Sequence, residues 1–363
     1  MLEYLALVLA SIHFGVPLIY YWYAKTKWFT KSWNIKFDIN YKPRITIILP
    51  TYNEARLIMD KLNNLYVQDY PKNLIELIVI DSASSDGTPE LVEKWAMKHF
   101  DLSLKLIKEE TRKGKAYALN HALNYANGEI IVIADVDAFW PENALSKALK
   151  WFSDSSIGAV SCLKKPIGSD GVEEGYRHYY NILRIAESKA YSTPIFHGEL
   201  AAFRTDLLKD IGGFPTDIGA DDSYTATKIA LMGFRAIIPD DLWIEEKIPE
   251  EKYFLWRIRR AQHLIQHFMK VLRVEKVNKF KWILLVESYL HLVNPWILAI
   301  AVILLITSSI IHHSLLSWII LALGLLLLVL KLYRTWIATQ LCLIVGAIRN
   351  FYTKEIVWAK QIK

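Results

Sequence analysis

The stretch Glu129-Ile-Ile-Val-Ile-Ala-Asp135-Val-Asp137-Ala-Phe139 decides how the rest of the chain reads. An apolar run leads straight into two acids. Such a run predicts a strand buried on both faces, as in a parallel sheet. Side chains alternate across a strand, so Asp135 and Asp137 point the same way where it ends. Ligands of open α/β sheets bind outside those carboxyl ends. Two carboxylates placed there repel each other unless a cation or a polar cradle compensates. A divalent metal carrying a phosphorylated substrate accounts for the pair, and so does a solvated turn that happens to hold two acids.

Working outward, apolar strands alternate with helical patterns from Ile45 to about Ala236. Strands are expected at Ile45–Leu49 (stopped by Pro50), Ile75–Ile80, Leu104–Ile107 and Glu129–Ala134, and helices at Glu54–Tyr66, Ala116–Ala126 and Asp222–Leu231. Another helix is expected to open at Thr88-Pro89, with Thr88 as its N-cap. This β-α-β-α order predicts an α/β fold, a mostly parallel sheet with helices on both faces. No G-x-G-x-x-G follows the first strand and no Walker lysine loop occurs, so dinucleotide oxidoreductases and P-loop enzymes are poor candidates. Polar residues gather at the strand ends: Pro50-Thr51-Tyr52-Asn53-Glu54, then Asp81 to Thr88, then Arg112-Lys113-Gly114-Lys115, then Asp135-Val-Asp137. Together they put acids, hydroxyls and cations along one sheet edge, suited to a nucleotide with its phosphates and a metal.

The 363 residues hold more than this domain, and the 53% hydrophobic content is concentrated in the first two dozen and the last eighty residues. Leu2–Tyr23 is long enough to span a bilayer and lacks the basic start and small-residue end of a secretory signal, so it reads as an uncleaved anchor. Further spans are expected at 283–311 and 315–330, and Trp336–Ile348, at thirteen residues, reads as an interfacial or re-entrant helix. Lys25, Lys27 and Lys31, and later Lys331 and Arg334, place the soluble part and the C-terminus in the cytoplasm by the positive-inside rule. The 13 Trp and 19 Tyr, many beside these segments, suit aromatic belts. The net charge of +6 is modest and clusters beside the apolar segments, which points to an anionic membrane surface and not to nucleic acid. Cys162 and Cys342 lie in unrelated contexts, so neither a disulfide framework nor a metal finger is expected. Glu287, His291 and Asn294 share one helix face. They border an acceptor entrance or pack the first turn onto the soluble domain.

The strand-end motifs, taken with later ones, carry a resemblance. PTYNE at 50–54, DSASSDGT at 81–88, RKGKAYALN at 112–120, ADVDAF at 134–139, HGELAAFR at 197–204 and GADDSYTATKIALMGFR at 219–235 resemble family 2 glycosyltransferases. These are inverting nucleotide-sugar enzymes of GT-A fold, among them cellulose, hyaluronan and ceramide-glucosyl synthase-like enzymes. The likeness covers roughly residues 43 to 273. It implies that Pro50, Thr51, Tyr52 and Glu54 border the base and ribose. Asp81 would meet the base edge and Lys115 would lie near the nucleotide. Asp135 would face the ribose and diphosphate, while Asp137 would hold Mg²⁺ or Mn²⁺. Asp222 would deprotonate the attacking hydroxyl, with Asp221 as its neighbour, and Gly198 and Glu199 would lie beside the acceptor. Helix capping is the alternative use of Asp221 and Asp222.

Membrane-embedded members of the family often carry Q-x-x-R-W. Here the run is Trp256-Arg-Ile-Arg259-Arg260: Arg259 matches the arginine, Trp256 replaces the glutamine and Arg260 replaces the tryptophan. Arg259 and Arg260 suit a diphosphate, since guanidinium forks match phosphate oxygens. A basic amphipathic helix on anionic lipid uses the same residues differently. Loss of the tryptophan removes a stacking surface for an acceptor sugar. Trp358-Ala-Lys360 loosely resembles a C-terminal W-x-K element that closes over the nucleotide. The expected organisation is an anchor at 1–24, a catalytic domain at 43–240, an interfacial helix at 250–273, two membrane helices within 283–333 and a tail at 335–363. The expected activity is metal-dependent, inverting transfer of a sugar from a UDP- or GDP-sugar to a lipid or lipid-linked acceptor at the cytoplasmic face of the cell membrane. A processive polysaccharide synthase is the rival within the family, and a non-catalytic nucleotide-sugar-binding scaffold is the rival of another class.

Overall fold

The computed structural model describes residues 1–167, 172–249, 251–273 and 279–355. The Trp358–Lys360 element lies outside the described residues. The strands are β1 Ile45–Thr51, β2 Ile75–Ser82, β3 Ser103–Glu109, β4 Ile130–Ala134, β5 Ile157–Ser161, β6 Leu163–Ile167, β7 Leu200–Arg204, β8 Arg235–Ile237 and β9 Trp243–Lys247. The helices of the catalytic part are preceded by α1 Leu2–Tyr23 and comprise α2 Ile58–Tyr66, α3 Thr88–Ala96, α4 Lys115–Leu123, α5 Ala144–Leu149, α6 Val172–Ala190, α7 Thr205–Asp210 and α8 Asp221–Leu231. They are followed by α9 Tyr253–Val271, α10 Phe280–Leu292, α11 Asn294–Ile311, α12 Leu315–Leu326 and α13 Lys331–Arg349.

A seven-stranded sheet runs β3-β2-β1-β4-β7-β5-β8, and β6 pairs with β9 in a separate ribbon. The first four strands in that order are parallel, while β7 is antiparallel to both β4 and β5. The strands alternate as their period requires. Ile47, Leu77, Val79, Ile130 and Val132 enter one core with Leu62, Trp95 and Leu149 of α2, α3 and α5. Ile48, Ile78, Ile80, Ile131 and Ile133 enter the other with Leu119 of α4 and Ile229 of α8. Each such side chain, fully removed from water, contributes about 1.5–3 kcal/mol. β4 is buried along its whole length, as the run at 129–134 predicts.

Several local readings differ from the sequence expectation: α2 begins at Ile58 and not at Glu54, α4 ends at Leu123 and not at Ala126, and two more concern Pro50 and Thr88. Pro50 does not stop β1 but pairs with Ile80 of β2. The β1–β4 ladder ends at Ile48, so Pro50 sits where one side of its strand has no partner, and its missing N–H costs nothing there. Thr88 is the first residue of α3, and Gly87, in the left-handed region at φ 87°, precedes it as cap. Just before β4, Gly128 passes so close to β1 that a Cβ would fall on the Thr46 amide nitrogen. Only glycine allows that approach.

Because β1 leads to β2 on one side and lies against β4 on the other, the sheet reverses winding between β1 and β4. Their carboxyl ends flank the crevice that such a reversal opens. Thr51 and Asp135 leave the sheet there.

At the other end of the molecule, Leu2–Phe29 and Phe280–Ile311 are long and apolar enough to cross a membrane. The segment expected to form a third span is α12 with a 3₁₀ turn, and the chain then bends by 108° into α13. A helix of α12's length rises only about 18 Å, short of a bilayer core. Ser308 donates to Glu3 at 2.8 Å, and the ring of His13 takes a bond with the Asn294 carbonyl at 2.9 Å and one from Trp336 Nε1 at 2.9 Å, so α1 runs antiparallel to α11 with α13 joined to both. Glu287 and His291 do not open to solvent. Arg184 of α6 bridges Glu187 at 2.7 Å and Glu287 at 3.1 Å, all three at most 1% exposed. Tyr20 of α1 donates to the same Glu187 at 2.8 Å. This buried cluster fastens α1 and α10 to the catalytic part. Arg184→Met would strand two buried carboxylates and cost about 3–5 kcal/mol, read as a lower melting temperature in detergent. Lys165→Met, which removes an exposed 3.5 Å pair with Glu245, should cost about 0–1 kcal/mol. Equal effects from the two variants would mean that the cluster does not fasten the helices.

Candidate active site

The loop after β1 is held open by the loop after β2. Ser84 Oγ accepts from the Asn53 amide at 2.8 Å, Thr88 Oγ1 from the Glu54 amide at 2.8 Å, and Asp86 from the Ala55 amide at 3.0 Å. Asp81 braces this arrangement from beneath. Its carboxylate accepts from Thr51 Oγ1 at 3.0 Å, Ser84 Oγ at 2.6 Å and the Ser84 amide at 2.9 Å. Asp81 is 2% exposed and does not line the cavity in front of it, whereas its neighbour Ser82 does. Tyr52 lies under the Arg112 guanidinium, 3.9 Å from its ring centre, which makes a flat cationic edge at this end.

The cavity itself has a volume of 370 Å³. Pro50, Thr51, Tyr52, Glu54, Lys115, Asp135, Asp137, Gly198, Glu199, Asp221, Asp222, Arg259 and Arg260 all line it. Six segments deliver them: the end of β1 with its following loop, the start of α4, the loop after β4, the segment before β7, the start of α8, and α9. At its centre Lys115, the first residue of α4, bridges Asp135 at 2.6 Å. Gly198 faces the same point: a Cβ there would stand 3.0 Å from Lys115 Nζ, 3.4 Å from Asp222 Oδ2 and 3.6 Å from Asp135 Oδ2. The missing side chain leaves room for a reacting group between a cation and two acids.

α8 opens with Asp221 and Asp222. Asp222 Oδ1 accepts from the Ser223 amide at 2.6 Å. Burial first, and then the Asp221 charge, push the Asp222 carboxyl up to about 7, with Lys115 opposing. Asp221 is buried too, and its Oδ2 has no hydrogen-bond partner among the described residues. Burial also raises Asp135, against Lys115 and with the charges of Glu199 and Asp137 adding to it. Among the described residues no three metal-ligating side chains form a cluster. Asp135 and Asp137 alone suit a metal of the Mg²⁺ or Mn²⁺ kind only when phosphate oxygens complete its shell, which is how such ions are commonly held.

α9 is not laid open on a surface. It is wedged against α13, with Trp256, Arg257, Gln262 and His267 buried. Arg260 bridges Glu246 at 2.6 Å and lies 4.6 Å over the Trp256 ring. Arg257 donates to Thr339 of α13 at 2.8 Å. Arg259 also lines the cavity: burial and then the Arg260 charge lower it to about 10, with Glu355 and then Asp137 acting against them. Glu199 is turned to Lys164, which also meets Glu246 at 3.3 Å, and Arg177 bridges Glu246 at 2.8 Å and Glu173 at 2.9 Å. The wall beside Gly198 is thus an alternating array of buried charges. The side chains of Gln262 and Gln266 hold the carbonyls of Thr353 and Lys354, so the chain after α13 returns beside α9.

Sequence reasoning missed this array, because Lys164, Glu173, Arg177 and Glu246 sit in unremarkable polar stretches. It also missed Tyr176 and Tyr180, which line the cavity from α6, and Lys61. Lys61 had a signal. The period of α2 buries Ile58, Lys61, Leu62 and Leu65, putting a lysine where an apolar residue belongs. Its ammonium donates to the Ala138 carbonyl and lies 4.4 Å from the Trp140 ring centre, behind the loop that carries Asp135 and Asp137. Burial pulls it down to about 7.

Known proteins resemble this chain in sequence and fold. The sequence model of Glycosyl transferase family 2 matches residues 46–212, and that of Glycosyl transferase family group 2 matches residues 130–332. The structure of mannosyltransferase PcManGT from Pyrobaculum calidifontis, in complex with GDP-Man and Mn²⁺, is 52% identical with a TM-score of 0.91, over 98% of this chain and 100% of that one. The poly-beta-1,6-N-acetyl-D-glucosamine synthase of Staphylococcus epidermidis is 25% identical over 324 residues, 86% of this chain and 77% of its own length. S. aureus TarS 1–349, in complex with UDP-GlcNAc, is 20% identical with a TM-score of 0.51, over 85% of this chain and 92% of that one, a likeness of fold.

The raised Asp222 carboxyl has a stability signature. Between the ordinary carboxylate range near 4 and about 7, the folded chain binds a proton that the unfolded chain has released, so stability falls as pH rises through that window. Asp222→Asn removes this penalty. The variant should melt higher than the parent at pH 8, with the difference shrinking towards zero near pH 4. A difference independent of pH would show that Asp222 titrates like an exposed carboxylate.

Proposed function

The chain belongs to glycosyl transferase family 2, and on that premise we propose that it is a metal-dependent, inverting mannosyltransferase that moves the sugar of GDP-mannose to a lipid or lipid-linked acceptor at the cytoplasmic face of a membrane. The observation that carries this reading is the convergence of Lys115, Asp135 and Asp222 on the open space at Gly198. The relative at 52% identity, which holds GDP-Man and Mn²⁺, supports the donor and the metal.

In this reading Tyr52, Thr51, Pro50 and Glu54 border the base and ribose, and Asp81 shapes their loop from behind. Asp135, oriented by Lys115, positions the ribose and diphosphate. Asp137 is the metal ligand, and the ion when bound neutralises charge that develops on the leaving diphosphate. Arg259 faces the same group. An acceptor hydroxyl is a weak nucleophile and needs a base near its proton. Asp222, poised near 7, accepts that proton, and Asp221 keeps its affinity high. One base and attack from the face opposite the leaving group invert the anomeric centre. Gly198 leaves space for the acceptor, and Glu199, held by Lys164, borders it.

The acceptor side supports a lipid. The cavity extends from Tyr52 to Tyr180 and His291, and to Leu343 of α13, on elements that continue into the apolar helices. The lysines that follow α1 support the cytoplasmic orientation. The division into anchor, catalytic domain, α9, membrane helices and tail belongs to the same proposal. A processive synthase is the second reading, favoured by the likeness to the poly-beta-1,6-N-acetyl-D-glucosamine synthase. Among the described residues there are two apolar helices, or three if α12 and α13 form one bent span, and these are few for a polymer channel.

Full-length protein with Mn²⁺ should release GDP from GDP-mannose, and chelation of the metal or Asp137→Ala should abolish the release. Asp222→Asn should lower transfer on the order of 10²–10⁴-fold while GDP-mannose still binds. Failure of GDP-mannose and of every UDP- and GDP-sugar to bind would sink the enzyme reading. Product length on a gel separates single transfer from polymer synthesis.

A further inference from the structure

Away from the catalytic cavity, a second hollow of 450 Å³ opens where α1 and α10 meet the catalytic part. Lys31, Lys189, Arg235 and Lys279 line it together with the rings of Trp28 and Tyr191, and no acid is among its described lining residues. The four cations come from four separate places: the segment after α1, the end of α6, the start of β8 and the residue before α10.

Their charges are only partly answered. Arg235 donates to the carbonyls of Tyr191 at 2.9 Å, Asn34 at 3.1 Å and Ser188 at 2.7 Å, which fix its guanidinium without cancelling the charge. Asp154 acts on it from a distance. Lys189 meets Asp240 at 3.2 Å and donates to the Phe29 carbonyl at 3.1 Å. Lys31 and Lys279 are exposed, and among the described residues neither forms a side-chain hydrogen bond or salt bridge. Two carboxylates against four cations leave the hollow positive. Nothing in the catalytic reading uses these residues.

The position of the hollow selects its ligand. The contacts of Glu3 with Ser308 and His13 with Asn294 set the register of α1 against α11, and Tyr20 with Glu187 ties it to α6. That register brings the end of the Leu2–Phe29 helix and the start of the Phe280–Ile311 helix to one level, where Trp28 and Lys279 share the hollow. A tryptophan with unpaired lysines at the end of spanning helices is the composition of a headgroup zone. We infer that this hollow binds the phosphate of an anionic lipid headgroup, with Lys31 and Lys279 as its mobile charged contacts and Arg235 as a fixed one. The inference rests on the membrane reading proposed above. Lipid bound here would set the tilt of the catalytic part, since α6 runs from Lys189 at the hollow to Arg177 at the cavity wall.

The test uses the full-length protein in detergent. Short-chain phosphatidylglycerol should raise its melting temperature, because a ligand that binds only the folded state stabilises it. Short-chain phosphatidylcholine and inorganic phosphate should not. In the double variant Lys31→Gln/Lys279→Gln the phosphatidylglycerol shift should vanish, while the unliganded melting temperature and donor turnover stay at the parent's values. A shift that survives in the variant, or its absence in the parent, overturns the site. A lysine-dependent shift with inorganic phosphate overturns the lipid assignment. Alkaline carbonate washing of membranes separates this from the premise: a parent protein that washes off refutes the membrane reading, whereas one that stays but shows no shift refutes only the lipid site.

Discussion

The constraint on which the rest of the structure depends is the crowding of negative charge at the end of β4. Asp135, Asp137, Asp221, Asp222 and Glu199 line one cavity of 370 Å³. Such a set is unstable unless cations reach it, and the fold is arranged so that they do. Lys115 arrives on the first turn of α4 and meets Asp135, Lys164 meets Glu199, and Arg259 leans in from α9. The compensation is incomplete, and Asp222 is left holding its proton to about 7. In a site built for catalysis, residual strain of this kind is what makes a carboxylate a usable base at neutral pH.

The cation side of the cavity follows from the same requirement. Glu173, Glu199 and Glu246 alternate with Lys164, Arg177 and Arg260 in a wall whose charges are mostly buried, the Arg260 side chain being the most exposed at 29%. Buried arrays of this kind add little net stability over an apolar core, yet removing one member strands another. Their worth lies in rigidity: they hold α6, α9 and the β6–β9 ribbon in one relation around Gly198. Arg260, which stands where the family's Q-x-x-R-W pattern has tryptophan, lies over the Trp256 ring and lines the cavity as part of this wall.

The apolar helices are joined to the catalytic part through α6. Its Arg184 binds Glu287 of α10, its Glu187 takes Tyr20 of α1, and its Tyr176 and Tyr180 line the cavity. α13 closes the arrangement by touching α9 through Thr339 and α1 through Trp336. The apolar helices are therefore tied, by a buried ion pair and a hydrogen bond, to the same helix that lines the cavity.

Much of this was legible in the chain itself. The period-2 and period-3.6 patterns, with acids and hydroxyls at the strand ends, foretold the parallel core of the sheet, the helices on both its faces and the edge where polar residues gather, because burial and backbone geometry are local in their demands. Strand ends and the role of Pro50 were off by a residue or two, since they depend on where a neighbouring ladder stops. What tertiary structure alone decided is which polar residues meet. The period of α2 marks Lys61 as a buried position, but only the fold put it behind the Asp135–Asp137 loop, and Glu287 gained its partner only when α6 met α10. Asp81 and Asp135 stand at the carboxyl ends of β2 and β4, the two strands that flank β1, with similar sequence signatures, yet one is sealed beneath its loop by Thr51 and Ser84 while the other opens onto the cavity. Charge pairing acts through space over a few ångströms, and a sequence fixes those distances only through the packing of elements that lie far apart along it.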